Sequence, residues 1–221
     1  MVLIFHSLYI NYIFKIFLMK KITVISVMLM VFAGCFLAFT VTINVLPIGS
    51  YLPKAEVKMK DINGSQVTMK EAQKKNGLLV MFSCNTCPVV IKNQQRTKAI
   101  GKYALQNDIG VILLNSNEAQ RNDEDSFEAM QTYSKKQDYA WYYVVDKDNI
   151  VADEFDATRT PECFLFNKDL KLVYHGAIDD NPNDEMSVSR EHLTEAIKEL
   201  LHGKEISVKE SRSIGCSIKR K

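Results

Sequence analysis

The sequence predicts an α/β protein in which helices flank a mixed central sheet, with an N-terminal transmembrane helix. Apolar runs at 78–82, 111–114 and 141–145 alternate with helical patterns, which is typical of βα units in a parallel sheet. Two further apolar runs flank a polar turn at 167–169 and predict an antiparallel hairpin. The stretch 22–46 is almost uncharged and long enough to cross a bilayer as a helix.

The composition suits one globular domain with a hydrophobic appendage and excludes several classes of protein. The chain has 221 residues, of which 47% are hydrophobic and 24% are charged, and its net charge is only +2. So small a charge does not suggest a nucleic-acid surface. The five cysteines include one close pair, which does not fit a multi-disulfide scaffold. No phosphate-binding glycine pattern occurs, and we expect neither an organic cofactor nor a metal.

We interpret residues 19–46 as a retained signal anchor. Lys20 and Lys21 precede the apolar run, and one span with these lysines inside places the rest of the chain outside the cytoplasm. The predicted location is therefore a bacterial cell envelope, with the protein anchored in the membrane. Residues 1–18 form an extension of doubtful origin, because Met19 followed by two lysines is typical of a bacterial start.

Two alternatives for this N-terminal segment stay open. One is a cleaved secretory signal, although the apolar run continues past a usual signal core. The other is lipidation of Cys35, because Ala33-Gly34-Cys35 resembles a bacterial lipobox. We expect a linker at 47–56, a globular domain at 57–204 and a basic C-terminal tail at 205–221.

Local signals justify the first elements of this domain. Apolar residues alternate with lysines at 56–62 and predict a half-buried strand that ends at the Asn63-Gly64 turn. A short helix follows over 68–75, where Thr68 and Glu71 have the spacing of a capping box. The buried strand at 78–82 and a helix over 89–106 come next.

The later helices are predicted from their end signals. Asn122-Asp123 should cap a helix that ends at Lys135-Lys136, since these charges complement the helix dipole. Ser189 should cap the last helix, which Gly203 ends. Between them lie the strand at 141–145 and the hairpin strands at 164–166 and 170–174.

The chemistry of the sequence is concentrated in Cys84 and Cys87, which separate the central strand from the helix after it. This order places Cys84 at the helix N-cap, where unpaired N–H groups and the positive end of the dipole stabilise a thiolate. We therefore predict a lowered pKa and a nucleophilic role for Cys84, with Cys87 as the resolving partner. A lone C-x-x-C also occurs in zinc sites or by chance, but strand–CxxC–helix favours redox chemistry.

Four segments carry a family resemblance. They are Cys84-Asn85-Thr86-Cys87-Pro88, Arg159-Thr160-Pro161 ahead of the Phe164-Leu165-Phe166 strand, Tyr174-His175-Gly176-Ala177-Ile178-Asp179-Asp180, and Gly215-Cys216-Ser217-Ile218-Lys219. With them the sequence resembles the thioredoxin-like superfamily, namely its membrane-tethered thiol–disulfide oxidoreductases and its redoxin (AhpC/TSA, peroxiredoxin-like) group. The match to the superfamily covers residues 54–203. The segments at 174–180 and 215–219, the second of which lies beyond that range, resemble a peroxiredoxin-like subgroup. It implies a thioredoxin-like fold and a cis Thr160–Pro161 bond that faces the dithiol.

The sequence departs from these families in two places. The Pro-x-x-x-Thr-x-x pattern of peroxiredoxins is missing before Cys84, so we do not expect direct peroxidase activity. Leu78 and Leu79 occupy the region where thioredoxins carry a buried aspartate that accepts a proton from the second cysteine. Glu162 is a candidate for that role, and a plain surface glutamate is the alternative.

The sequence thus predicts a thiol–disulfide oxidoreductase that reduces disulfides of envelope proteins. Cys84 would attack a substrate disulfide, Cys87 would resolve the mixed disulfide, and the backbone at Thr160 and Pro161 would bind the substrate as an added strand. The expected partners are a disulfide-bearing protein substrate, an unidentified thiol electron donor and, through the anchor, a membrane.

Three other functions stay open. A copper chaperone would bind metal with the two cysteines and His175, although such chaperones usually space the cysteines by three residues and a histidine at a hairpin edge explains His175 more simply. A peroxiredoxin-like antioxidant and a non-catalytic anchored binding module are the others. Cys163 is predicted to be a buried core residue, and Cys216 either an accessory redox thiol or an inert surface thiol.

Overall fold

The structure, a computed structural model, describes residues 45–221. The doubtful extension, nearly all of the predicted anchor and Cys35 lie outside the described residues, so these predictions stay predictions. Among residues 45–221, no helix combines the length and the apolar character that a membrane crossing needs.

A seven-stranded mixed sheet lies at the centre of the domain. The strands are β1 (Met59–Asp61), β2 (Gln66–Val67), β3 (Gly77–Phe82), β4 (Ile109–Asn115), β5 (Tyr142–Val145), β7 (Glu162–Phe166) and β8 (Leu172–Gly176), and β6 (Arg159–Thr160) and β9 (Cys216–Ser217) pair separately. Their order in the sheet is β2-β1-β5-β4-β3-β7-β8. β3, β4 and β5 are parallel, whereas β7 and β8 form the predicted antiparallel hairpin. The mixed sheet is therefore confirmed.

Short and medium helices connect these strands. They are α1 (Met69–Ala72), α2 (Pro88–Lys92), α3 (Gln94–Gln106), α4 (Phe127–Gln137), α5 (Ile150–Glu154) and α6 (His192–Leu201), with 3₁₀ turns at Glu118–Gln120, Lys147–Asn149 and Glu185–Ser187. Thr68 caps α1 in the predicted capping box with Glu71. The single helix predicted over 89–106 is two helices, because Asn93 ends α2 and begins α3.

Two helix starts differ from their predictions. α4 begins at Phe127, where the Ser126 hydroxyl accepts the Ala129 N–H at 3.3 Å, and not at Asn122-Asp123. α6 begins at His192 and has no side-chain cap, so Ser189 is not its cap. In both cases the residues before the helix make tertiary contacts that the local sequence pattern does not contain.

The core consists of two apolar layers on the two faces of the sheet. All six residues of β3 are buried, and alternate side chains enter opposite layers. Phe82 enters one layer, where its ring makes edge-to-face contacts with Phe155 and Phe164. Met81 enters the other layer. Burying such a side chain stabilises the fold by about 1.5–3 kcal/mol, so β3 is held rigidly up to the residue before Ser83.

The segment predicted to be a linker, 47–56, packs on the domain instead. Leu52 is 7% exposed and belongs to the core, and its N–H donates to the Leu170 carbonyl at 2.8 Å. The Leu172 N–H donates to the Ser50 carbonyl at 2.9 Å, so this segment lies along the hairpin. Its apolar residues are part of the core, and a boundary after residue 56 would divide that core.

Candidate active site

The two cysteines of the C-x-x-C motif lie in the loop between β3 and α2, and Cys87 is the helix N-cap. This corrects the prediction that Cys84 occupies that position. Pro88 is the first helical residue, a position that suits proline because an N–H there has no partner within the helix. Proline also forces the preceding residue into an extended conformation, and Cys87 has φ −61° and ψ 122°. Pro88 therefore starts the helix directly after Cys87.

Both thiols are almost closed off from solvent. Cys84 is 2% exposed and Cys87 is 4% exposed, and they pack with Val90 in a small apolar cluster. All four cysteines among residues 45–221 are unpaired thiols. The site is therefore a buried, reduced dithiol.

The pKa values of the two thiols are displaced in opposite directions. The Cys84 thiol donates a hydrogen bond to Cys87, and the Cys216 thiol and the N–H groups of Val90 and Cys216 add further donors, which together lower the pKa of Cys87 to about 4 against the effect of burial. The same bond from Cys84, followed by burial, raises the pKa of Cys84. The lowered pKa of the pair thus belongs to Cys87, whereas the sequence predicted it for Cys84.

Thr160 contacts both sulfur atoms. Its hydroxyl oxygen lies 3.4 Å from Cys84 Sγ, and its carbonyl oxygen lies 3.2 Å from Cys87 Sγ. The Thr160–Pro161 bond is cis, as the resemblance implied, and Thr160, one of the two residues predicted for substrate binding, contacts the dithiol. The Thr160 carbonyl oxygen can accept a hydrogen bond from Cys87 only when Cys87 is protonated. The donors from Cys84, Cys216 and Val90 instead stabilise the thiolate form of Cys87.

Asp125 is a site residue that the sequence interpretation missed. Its carboxylate is fully buried, and Oδ1 accepts the Asn85 N–H at 2.9 Å and an Asn115 Nδ2 hydrogen at 2.7 Å. Oδ2 accepts a hydrogen of Asn117 Nδ2 at 2.8 Å. The network fixes the loop between the cysteines, and the charge of Asp125 helps to raise the pKa of Cys84. The available signal was the polar residues that follow the parallel strands β3 and β4, where sites commonly lie.

Glu162 and His175 form a buried pair with a structural role. Glu162 is 3% exposed, so it is not a surface glutamate, and its Oε1 lies 2.8 Å from His175 Nε2. Its Oε2 accepts the N–H groups of Thr158 and Arg159 at 2.8 and 2.9 Å. Glu162 thus holds the backbone leading into β6 and has no contact with Cys87. The predicted role as proton acceptor has no support in this geometry.

The contacts of His175 are relevant to the hypothesis that the protein is a copper chaperone. His175 Nε2 is engaged by Glu162, and the ring stacks on Phe164 at 4.4 Å between centroids. Among the described residues, no group of three or more His, Cys, Asp or Glu side chains is placed to hold a metal ion.

The C-terminal tail lies across the dithiol. β9 pairs antiparallel with β6, with Cys216 opposite Thr160 and Ser217 opposite Arg159. Cys216 packs against the apolar cluster of the other two cysteines. The position at Thr160 that was predicted for a substrate strand is therefore filled by the chain's own tail.

Comparison with known proteins decides the family. The family model described as Redoxin matches residues 47–192, which is more than half of the chain. The chain belongs to the Redoxin family. No curated protein matches the sequence of this redoxin.

Solved structures support the assignment. An uncharacterized conserved protein from Geobacillus kaustophilus is 32% identical with a TM-score of 0.75, covering 80% of this redoxin and 94% of that chain. A hypothetical protein from Sinorhizobium meliloti is 30% identical with a TM-score of 0.74, covering 80% and 97%. A mutant of PrxQ from Xylella fastidiosa, at 16% identity, a TM-score of 0.50 and coverage of 60% and 86%, shares the fold. The thioredoxin-like fold is confirmed, and membrane tethering stays a prediction.

Proposed function

We propose that this redoxin is a thiol–disulfide oxidoreductase that reduces a disulfide of a protein substrate with Cys84 and Cys87. The observation that carries the proposal is that Cys84 and Cys87 lie together against Thr160. Their pKa values are displaced in opposite directions, which favours a thiolate beside a protonated thiol. A thiolate is the nucleophile of disulfide exchange, and the adjacent thiol can complete the exchange.

The reaction has two steps. Cys87 thiolate attacks one sulfur of the substrate disulfide, which forms a mixed disulfide and releases a substrate thiolate. That thiolate takes the proton of Cys84, and Cys84 then attacks Cys87 Sγ and displaces the second substrate thiolate, which takes a proton from solvent. The site ends as a Cys84–Cys87 disulfide, and the substrate has gained two electrons. This order reverses the predicted roles, because the donors surround Cys87.

Thr160 and Asp125 position the two sulfurs. The Thr160 hydroxyl stabilises Cys84 as it loses its proton, since this contact favours the thiolate form of Cys84. Asp125 holds the Asn85 N–H and so keeps the loop in the geometry that lets the two thiols share a hydrogen bond. The disulfide-bearing substrate, the thiol electron donor and the bacterial envelope remain part of the proposal.

The test is reduction of insulin disulfides by the purified protein in the presence of a dithiol. Cys87→Ser should reduce activity to background, and Cys84→Ser combined with Cys216→Ser, which removes the neighbouring tail thiol, should trap a mixed disulfide through Cys87. A mixed disulfide trapped in Cys87→Ser instead would restore the predicted order of attack. Unchanged activity in both variants would contradict the oxidoreductase proposal and favour a binding module. Peroxide consumption without insulin reduction would favour a peroxiredoxin-like antioxidant.

A further inference from the structure

We propose that Cys216 is a third redox-active cysteine of this site, which takes over the disulfide from Cys84 and Cys87 and presents it to the electron donor. The inference rests on the proposed function and goes beyond it, because it assigns the second half of the cycle. That half returns the oxidised protein to the dithiol form.

The tail holds Cys216 at the sulfur that would have to be attacked. Strand pairing sets Cys216 opposite Thr160, whose carbonyl oxygen is itself 3.2 Å from Cys87 Sγ. Cys216 packs against the cluster of the two buried thiols, whereas Ser217 is exposed. Successive side chains of a strand point to opposite faces, so Cys216 is the tail residue of this strand that faces the dithiol.

The residues on either side of Cys216 hold the tail close to the backbone at Thr158 and Thr160. A Cβ atom at Gly215 would lie 2.0 Å from the Thr160 carbonyl oxygen, so no other residue fits without displacing the strand. The Ile218 N–H donates to the Thr158 carbonyl at 3.0 Å, and the Ile218 side chain is 6% exposed. These contacts hold Cys216 beside Thr160.

More distant contacts fix the tail at both ends. Ser211 Oγ accepts the Ala177 N–H at 2.9 Å on one side. The Lys219 N–H donates to Asn117 Oδ1 at 2.9 Å on the other, and Asn117 in turn donates to Asp125. The tail thus shares one polar network with the loop that carries the cysteines.

Access to solvent gives Cys216 its role. Cys84 and Cys87 are 2% and 4% exposed, whereas Cys216 is half-buried. Like the substrate disulfide, an external dithiol would have to displace β9 to reach Cys84 and Cys87, but it can reach the sulfur of Cys216 with β9 in place. A disulfide between Cys87 and Cys216 therefore connects the buried pair with the electron donor.

The exchange conserves atoms and electrons. The Cys216 thiol loses its proton and attacks Cys87 Sγ of the Cys84–Cys87 disulfide. The Cys87–Cys216 bond forms, the Cys84–Cys87 bond breaks, and Cys84 leaves as a thiolate that takes up a proton. The donor dithiol then attacks Cys216 Sγ and releases Cys87 thiolate, and its second thiol frees Cys216 while the donor becomes a disulfide. Two electrons pass from the donor to the protein.

The electrostatics of the cluster bear on two parts of this sequence, namely the ionisation of Cys216 and the release of Cys87. Burial first, and then the neighbouring Cys87, raise the pKa of Cys216 to about 11 in the reduced protein. The contribution of Cys87 disappears once Cys87 is part of a disulfide, so Cys216 ionises more readily when its attack is needed. Cys87, whose pKa is low, is a good leaving group when the donor attacks Cys216.

Disulfide mapping tests the proposal on the full chain. The reduced protein is oxidised with one equivalent of diamide, blocked with N-ethylmaleimide and mapped by mass spectrometry. Cys84→Ser should form a Cys87–Cys216 disulfide, and the wild-type protein should contain both this disulfide and Cys84–Cys87. A Cys84→Ser protein without the Cys87–Cys216 bond would overturn the proposal.

The rate of re-reduction provides the second measurement. Reduction of the oxidised protein by dithiothreitol should slow by about tenfold or more in Cys216→Ser, since the accessible sulfur is gone. The control Cys216→Ser/Ser217→Cys keeps a tail thiol but turns it away from the site, and it should be as slow as Cys216→Ser. Wild-type rates in both variants would overturn the proposal. Single-turnover reduction of insulin by the pre-reduced wild-type protein tests the proposed function separately, because that half-reaction precedes any step of Cys216.

Discussion

Cys163 and Cys87 are both buried cysteines of the same domain, but their surroundings differ completely. Cys163 lies within β7, between Met81 of β3 and Gly176 of β8, and burial, followed by the charges of Glu162 and Asp179, raises its pKa. Cys87 is nearly as buried, but hydrogen-bond donors surround its sulfur and lower its pKa. The comparison teaches that burial alone does not set the pKa of a thiol, because the donors aimed at its sulfur can outweigh the effect of burial.

The largest expected difference between the two cysteines is in catalysis. Cys163→Ser should keep insulin reduction at the wild-type rate, whereas Cys87→Ser should lose it, because Cys163 packs in a different apolar cluster from the dithiol. Labelling of the native, reduced protein with iodoacetamide at neutral pH should modify Cys163 only after unfolding. A large loss of activity in a folded Cys163→Ser protein would contradict the claim that Cys163 takes no part in the reaction.

The next effect concerns the buried carboxylate under the dithiol. Asp125→Ala leaves the donors of Asn85, Asn115 and Asn117 without their acceptor. Each buried unsatisfied group costs about 1–3 kcal/mol, so the free energy of unfolding should fall by about 3 kcal/mol or more. Urea denaturation measures this loss, with Asp123→Ala at an exposed position as the matched control. Equal stability of the two variants would show that the network does not hold the site.

The smallest effect is expected at Thr160. Thr160→Val removes the hydroxyl that lies 3.4 Å from Cys84 Sγ and keeps the backbone contact with Cys87. A single hydrogen bond contributes about 0.5–1.5 kcal/mol, so resolution of the mixed disulfide should slow by roughly two- to tenfold. Thr160→Ser keeps the hydroxyl and should resolve at the wild-type rate. An unchanged rate in Thr160→Val would show that the Thr160 hydroxyl does not assist Cys84 in the resolving step.

The comparison also explains what the sequence could predict. The apolar run before the dithiol predicted β3, the Asn167 turn predicted the hairpin, and the family resemblance implied the cis Thr160–Pro161 bond; all three are confirmed. The position of Cys163 in an apolar strand also predicted its burial correctly. Each of these features depends on residues that are close in the sequence.

The environment of the dithiol depends on residues that are far apart in the sequence. Asp125 accepts the Asn85 N–H from 40 positions along the chain. The segment at 215–219 resembles known proteins, but the resemblance alone does not place Cys216 opposite Thr160. The N-cap is different, since the preference of proline for the first helical position already indicated Cys87 before Pro88. The sequence analysis predicted the thiolate on Cys84 because it placed the helix start directly after the strand, whereas the helix begins at Pro88.

The central claim is that the thiolate of the reduced pair rests on Cys87, and a pH titration of the ultraviolet thiolate absorbance tests it most directly. The reduced wild-type protein should retain this absorbance from neutral pH downwards and lose it as the pH falls towards about 4, because a lowered pKa keeps the thiol ionised above that value. Cys87→Ser should lack the absorbance at neutral pH. A signal that persists in Cys87→Ser, or that arises in the wild-type protein only near pH 8.5, about the ordinary pKa of cysteine, would contradict the claim.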